Sequence, residues 1–461
     1  MSILAVLPGL LAIVWLVRRS HREAYLDIYL FSLFLLPGWC RFVAPGTPDP
    51  TFHEAAILPI AGAFLLKYRA KWKLSFMDLV VVAYAATIGY SEYVNAGYKE
   101  AQNLLFDMIA AGILPYLLAK GMIQGSAFRT LFVRRVVWLL AILTVFFVYE
   151  WRFAYNPFRL VFDRFFPGQG DGWVTTFRYG LARTAGPYGH AILAGIVLMT
   201  GFRLQRWLEM SRLWEPRFRR YNIGSLTKGR ILTLAMIAGL AMTMVRGPQI
   251  GALIASAVNM IGMGRNPKRR ACWIAAAIVV IGIPVGATMY SYASVGRAGA
   301  VTASQESAAY RKELMDKYVD IVLQHSVLGW GRNGWPKVSG MPSIDNYYLL
   351  LSLMHGVLAT ALLLTILITL IARLLRDGLQ AGSRTPKGSS LSFCLAGIFA
   401  GIAFSIFTVY MGDNVIPIFF TLVGFAEGYL QAGGDLEAAR KPAASPTGST
   451  APPPRFAVVL A

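Results

Sequence analysis

Residues 308–356 read AAYRKELMDKYVDIVLQHSVLGWGRNGWPKVSGMPSIDNYYLLLSLMHG. The first half repeats apolar residues at helical spacing. Tyr310, Leu314, Val319, Val322 and Leu323 fall near one face, and Arg311, Lys312, Asp316, Lys317 and Asp320 fall largely on the other. From His325 to Gly340 the pattern is broken by glycines, tryptophans and Pro336. A long helix then begins at Asn346, far too apolar for a surface helix. A charged, glycine-rich outcrop therefore abuts a membrane segment, a place to hold something polar attached to a lipid.

Composition agrees with that reading. The chain has 461 residues, 56% of them hydrophobic and 15% charged, with a mean hydropathy of +0.53. A soluble domain is less apolar and more charged. Runs of membrane-spanning length recur from end to end, near 1–17, 25–39, 54–66, 76–92, 104–119, 136–149, 189–202, 230–246, 248–264, 271–290, 346–372, 391–411 and 414–430. The third is short enough to be re-entrant. The expected fold is an all-α polytopic membrane protein of about 13 transmembrane helices with two long outward loops.

The net charge of +21 does not indicate nucleic acid, because the basic residues lie in short clusters between apolar runs. Met1–Val17 precedes its arginines (Arg18, Arg19, Arg22), the reverse of a secretory signal, and reads as an uncleaved first span. With loops sorted alternately, the side facing Arg18 collects 30 of the 44 Lys and Arg and should be cytoplasmic. The order is then N-terminal transmembrane helices (1–150), an outward loop (151–188), central transmembrane helices (189–290), a large outward loop with the amphipathic helix (291–345), C-terminal transmembrane helices (346–432) and a disordered cytoplasmic tail (433–461). Cys40, Cys272 and Cys394 form no metal spacing and read as apolar packing. No internal repeat is evident.

Several outward residues could carry chemistry. Arg246, in MVRGPQIG, reads either as an interfacial anchor or as an anion ligand, with Gly247 letting a phosphate approach the next helix N-terminus. Arg183 also heads a span, beside Gly, Pro and His190, and Arg311 begins the amphipathic helix. Three arginines at outer helix ends favour a shared anionic ligand. Asp345 precedes the span at Asn346 and reads as an N-cap, a role compatible with accepting a proton. His325 lies in the turn, His355 reads as a packed and hydrogen-bonded histidine, and Asp413 as a turn residue.

Gly329–Gly334 (GWGRNG) matches G-x-G-x-x-G but lacks the strand before and helix after that a dinucleotide fold needs. It reads as a glycine turn exposing Trp330 and Trp335, which either anchor at the interface or stack on sugar rings. Arg332, in the same outcrop, is a further candidate substrate ligand. No P-loop, H-E-x-x-H, Cys/His metal spacing or D-x-D pair is present, so a diphosphate substrate would be met by arginines.

R-x-x-G-P-x-x-H at Arg183–His190, V-R-G-x-x-x-G at Val245–Gly251, Arg311 in an outer helix, H-x-x-L-G-x-G at His325–Gly331 and D-N-Y-Y-L at Asp345–Leu349 stand in an order that resembles the O-antigen ligase and Wzy-type polysaccharide polymerase superfamily. The motifs cover roughly residues 180–360. The resemblance implies a bacterial inner-membrane glycosyltransferase of the membrane-embedded C type, working on the periplasmic face without metal or other cofactor. Its expected partners are an undecaprenyl-diphosphate-linked saccharide and the lipid bilayer, with a chain-length regulator and a flippase as candidate protein partners. It also implies diphosphate binding by Arg246, helped by Arg311, with Asp345 and Asn346 at the acceptor. Where the ligase branch carries His-Asn, nine residues, Gly, two residues and a polar residue, this chain has Asp345-Asn346, Gly356 and then Ala359. That departure tilts the expectation from ligation onto lipid A core toward polymerisation of repeat units. A lipid-linked-saccharide flippase is the rival from another class, with Asp78 and Asp107 as its main intramembrane charges.

Overall fold

Each of the thirteen apolar runs is helical in the computed structural model, which describes residues 2–68, 72–170, 174–215, 227–264, 266–382, 388–412 and 414–440. In chain order the helices are α1 (Ser2–Arg18), α2 (21–35), α3 (Phe52–Tyr68), α4 (Phe76–Ala96), α5 (Tyr98–Met122), α6 (Ser126–Phe153) and the short α7 (Pro157–Phe162). A two-residue hairpin follows, β1 (Phe177–Arg178) paired antiparallel with β2 (Leu181–Ala182). Then come α8 (Ala191–Met210), α9 (Lys228–Met242), α10 (Arg246–Ile261), α11 (Pro267–Ser294), α12 (Ala303–Gln324), α13 (Tyr347–Ala381), α14 (Leu391–Ile406), α15 (Val415–Gln431) and α16 (Gly434–Arg440). Five of these, α5, α6, α8, α11 and α13, are long and apolar enough to cross a membrane. At about 1.5 Å per residue, the 28 residues of α11 reach roughly 42 Å, beyond the ~30 Å hydrocarbon layer.

Polar side chains set the helix starts. Ser75 and Asp78 form a capping box on α4, Thr302 caps α12 and Asn346 caps α13. The largest apolar cluster draws on helices between α1 and α15 but not on α11 or α12. Small residues bring α10 and α14 together: a Cβ on Gly251 would lie 2.9 Å from the Gly401 carbonyl oxygen.

The bundle has two ends, held by separate contacts. At one end Arg41 pairs with Asp107 at 3.2 Å, Gln169 bonds the Arg41 backbone, Arg332 pairs with Glu92 at 3.2 Å, and Arg246 bonds Tyr179 and Ser304. These are loops that the charge count assigned to one side. At the other end Lys120 pairs with Asp78 at 2.6 Å, Arg134 bonds the Leu213 carbonyl, Trp207 bonds that of Ser389 at 3.0 Å and Arg373 pairs with Glu427 at 2.6 Å.

Three expectations are corrected. The tail expected to be disordered from Gly433 begins with α16, where buried Asp435 accepts from Leu391 N at 3.2 Å and from Ser390, latching the helix to the start of α14; residues 441–461 lie outside the described residues. The buried stripe of the amphipathic helix is Leu314, Tyr318 and Val322, while Val319 is 40% and Leu323 64% exposed. A strict 3.6-residue repeat from Leu314 passes through positions 318 and 322 and leaves 319 and 323 on the flank. Cys40 and Cys394 are buried as expected, but Cys272 is exposed on α11, whose apolar window has no residue buried within the chain.

Candidate functional site

The buried stripe of α12 packs on Leu349 and Leu353 of α13, with Met341 beside them. Following that stripe toward the helix start leads through Arg311 to Ser307 and Ser304. Arg311 therefore stands on the side of α12 that carries this stripe, where the stripe runs out into exposed serines. Its Nη1 donates to Ser307 Oγ at 3.2 Å, and its Nε is buried with no hydrogen-bond partner. Arg246, the first residue of α10, reaches the same stripe. Its Nη1 donates to Ser304 Oγ at 3.2 Å and its Nη2 to Tyr179 Oη at 3.1 Å. Ser304 and Ser307 are exposed, so the two serines that these guanidiniums bond stand about one helical turn apart on an open face. Gly247 has a second physical role here: a Cβ on it would sit 2.5 Å from Thr408 Oγ1, so the glycine admits a packing neighbour.

The β1–β2 hairpin leans on the start of α10. Arg178 Nη1 donates to the Met244 carbonyl at 2.7 Å, and Tyr179 at the turn meets Arg246. Arg183 follows β2, with its Nη1 on Thr176 Oγ1 at 3.3 Å and its Nε buried without a partner. Burial first, and then the Arg178 charge, pull the Arg183 guanidinium below its ordinary pKa. The structure thus joins Arg246 and Arg311 on α12 and brings Arg183 in on the same hairpin that touches Arg246. His190 caps α8, its Nδ1 accepting from Ile192 N at 3.1 Å. Burial, reinforced by Arg183, lowers its pKa to about 4, so the ring is neutral near pH 7.

At the head of α13 the expected cap is corrected by one residue. Asn346 Oδ1 accepts from Tyr348 N at 3.0 Å and Leu349 N at 3.3 Å, so asparagine and not Asp345 caps the helix. The geometry explains it: Asp345 stands one position too early to reach the second and third helical N–H groups. Its half-buried carboxylate accepts from Ser343 Oγ at 3.0 Å, and Ser343 N in turn donates to Tyr310 Oη at 3.2 Å, next to Arg311. Asp345 is therefore available for chemistry without giving up a cap.

The glycine turn is not a display of tryptophans. α13 is broken at Gly356 (φ 81°, ψ 170°), and the loop 325–331 fills the break. Trp330 N donates to Leu353 O and Gly331 N to Met354 O, both at 2.8 Å, while Val357 N donates to Ser326 O at 2.7 Å. A Cβ on Gly329 would lie 2.6 Å from Gly356 N. Trp330 is half-buried, its Nε1 donates to Ile321 O at 3.1 Å and its ring lies tilted against that of His325, 3.7 Å between centroids. Trp335 packs against the α12 cluster. Arg332 is committed to Glu92 at 3.2 Å and Glu100 at 3.4 Å, pinning the loop to α4 and α5. His355 is packed as expected, its Nδ1 3.2 Å from Ser91 Oγ.

Sequence reasoning missed Tyr179, Ser304, Ser307 and Tyr310. No motif marks them; only tertiary contact sets them beside the arginines. Asp78 and Asp107, the charges a flippase would need, are paired with Lys120 and Arg41. Asp413 lies outside the described residues, and among the described residues no group of three His, Cys, Asp or Glu could hold a metal ion.

The fold and site define a helical membrane protein with a cationic, polar face built against one end of its bundle. A family model described as O-antigen ligase matches residues 231–370 of the chain. The matched stretch includes Arg246, Arg311 and Asp345. No curated protein matches the chain.

Proposed function

We propose that the protein joins undecaprenyl-diphosphate-linked oligosaccharide repeat units on the periplasmic face of a bacterial inner membrane. The observation that carries this is the pair of guanidiniums, Arg246 and Arg311, bonded to exposed serines one turn apart within the family-matched stretch. Two adjacent cations suit the two phosphoryl groups of a lipid diphosphate. An acceptor hydroxyl attacks the anomeric carbon of the donor, the bond from that carbon to the diphosphate oxygen breaks, and the arginines stabilise the departing charge. The proton of the hydroxyl passes toward the Asp345 carboxylate. Ligation onto lipid A core is the second reading, supported by the match to the O-antigen ligase family model. Asp345, where the ligase branch has histidine, favours polymerisation.

The test is the lipid-linked saccharide that accumulates in a strain lacking the protein. Outward-facing single repeat units are the expected result. Finished long chains retained on the carrier would indicate a ligase, and units trapped on the cytoplasmic face a flippase.

A further inference from the structure

The first turns of α13 present two opposite sides. Leu349 and Leu353 meet α12, whereas Tyr347, Leu351 and His355, roughly half a turn round, border a separate cavity of about 470 Å³. Residues of α3, α5 and the segments 41–49 and 410–412 close its other walls. The size lies within the ~300–1,000 Å³ of small-ligand sites.

Its chemistry differs from that of the α12 face. The two guanidiniums that border it, Arg41 and Arg332, already hold carboxylates, Asp107 at 3.2 Å and Glu92 at 3.2 Å. Two further carboxylates, Asp49 and Glu54, line the cavity. Glu54 is 2% exposed; its Oε2 accepts from Thr51 N at 2.8 Å and Thr51 Oγ1 at 2.9 Å, and its Oε1 has no partner among the described residues. The Asp49 carboxylate and the Asn103 amide are likewise without a partner among the described residues. The polar groups that line it apart from those ion pairs thus include two carboxyl groups and one amide that both donates and accepts. That set matches a ligand rich in hydroxyls, each of which exchanges hydrogen bonds with a carboxyl group or an amide. Tyr410, 39% exposed and edge-on to the His190 ring, also lines the cavity.

We propose that this cavity is the subsite for the acceptor saccharide. The proposal rests on the glycosyl-transfer reading above. It separates the two substrates by charge: the donor diphosphate lies against the α12 arginines, the uncharged acceptor sugar lies behind α13, and Asp345 stands at the head of the helix that divides them.

The full-length protein in detergent tests it, with the diphosphate-free repeat unit released by mild acid from the strain's own lipid-linked intermediates as probe and titration calorimetry as readout. Wild type and Arg246→Ala should bind equally. Asn103→Leu should bind about fivefold more weakly, the loss of one neutral hydrogen bond, and Glu54→Gln and Asp49→Asn should also weaken binding. If buried Glu54→Gln does not fold, the other two variants carry the test. No binding by wild type, unchanged binding in both Asn103→Leu and Asp49→Asn, or a loss confined to Arg246→Ala would overturn the subsite. Failure of the parent reading looks different, because the deletion strain would then not accumulate single repeat units.

Discussion

Replacing Gly356 with alanine should release the loop that carries Trp330 and Arg332. The residue has φ 81° and ψ 170°, a combination almost confined to glycine, and forcing alanine there costs about 1–3 kcal/mol. The new Cβ would overlap the Val327 carbonyl and lie 2.7 Å from Leu328 N. The loop cannot stay in place, so the three backbone bonds across the break, Trp330 N to Leu353 O, Gly331 N to Met354 O and Val357 N to Ser326 O, are lost together. At about 1 kcal/mol each they add roughly 3 kcal/mol. The combined 4–6 kcal/mol is large for one substitution. Hydrogen exchange on the detergent-solubilised protein reads it directly. Protection of the Trp330 and Gly331 amides should fall by about a thousandfold or more, since each 1.4 kcal/mol is about tenfold. Unchanged protection at both amides, with an unchanged thermal midpoint, would refute the view that Gly356 exists to admit this loop.

Four other outcomes are expected. Arg246→Ala and Arg311→Ala should each slow polymer formation by roughly ten- to a hundredfold, with lysine rescuing Arg246 only in part because the planar fork is lost; full activity of both alanine variants would remove them from the site. Asp345→Asn should abolish polymer while leaving thermal stability unchanged, whereas Asn346→Ala should cost about 1 kcal/mol of stability through loss of the cap; the reverse pattern would restore Asp345 as the cap. His190 has a folded pKa of about 4 against an ordinary 6.5, so the unfolded chain binds the extra proton between those values and stability rises with pH from 4 to 6.5; His190→Asn, which can still cap, should flatten that part of the pH–stability profile. Reporter fusions near Gly170 and Gly340 should be active on the periplasmic side, and a cytoplasmic signal from Gly340 would overturn the orientation used throughout.

The sequence determined the helices, since runs of apolar residues long enough to span a bilayer leave the backbone no other way to satisfy its polar groups. Some loops that the charge count placed on one side do meet, Gln169 with the Arg41 backbone and Arg246 with Tyr179 and Ser304. The motifs around Arg246, Arg311 and Asp345 were legible as well, as short patterns of residue type and order. What lies opposite each of those residues was not. That Arg311 bonds Ser307, that Trp330 and Arg332 hold a loop in place, and that Asn346 rather than Asp345 caps the helix depend on helical phase and, for Arg332, on Glu92 on a distant helix. The acidic cavity likewise draws on residues from 41 to 416, which no local pattern connects. Periodicity and composition report what a segment prefers by itself; only packing decides which of its polar groups are used up within the protein and which remain to meet a substrate.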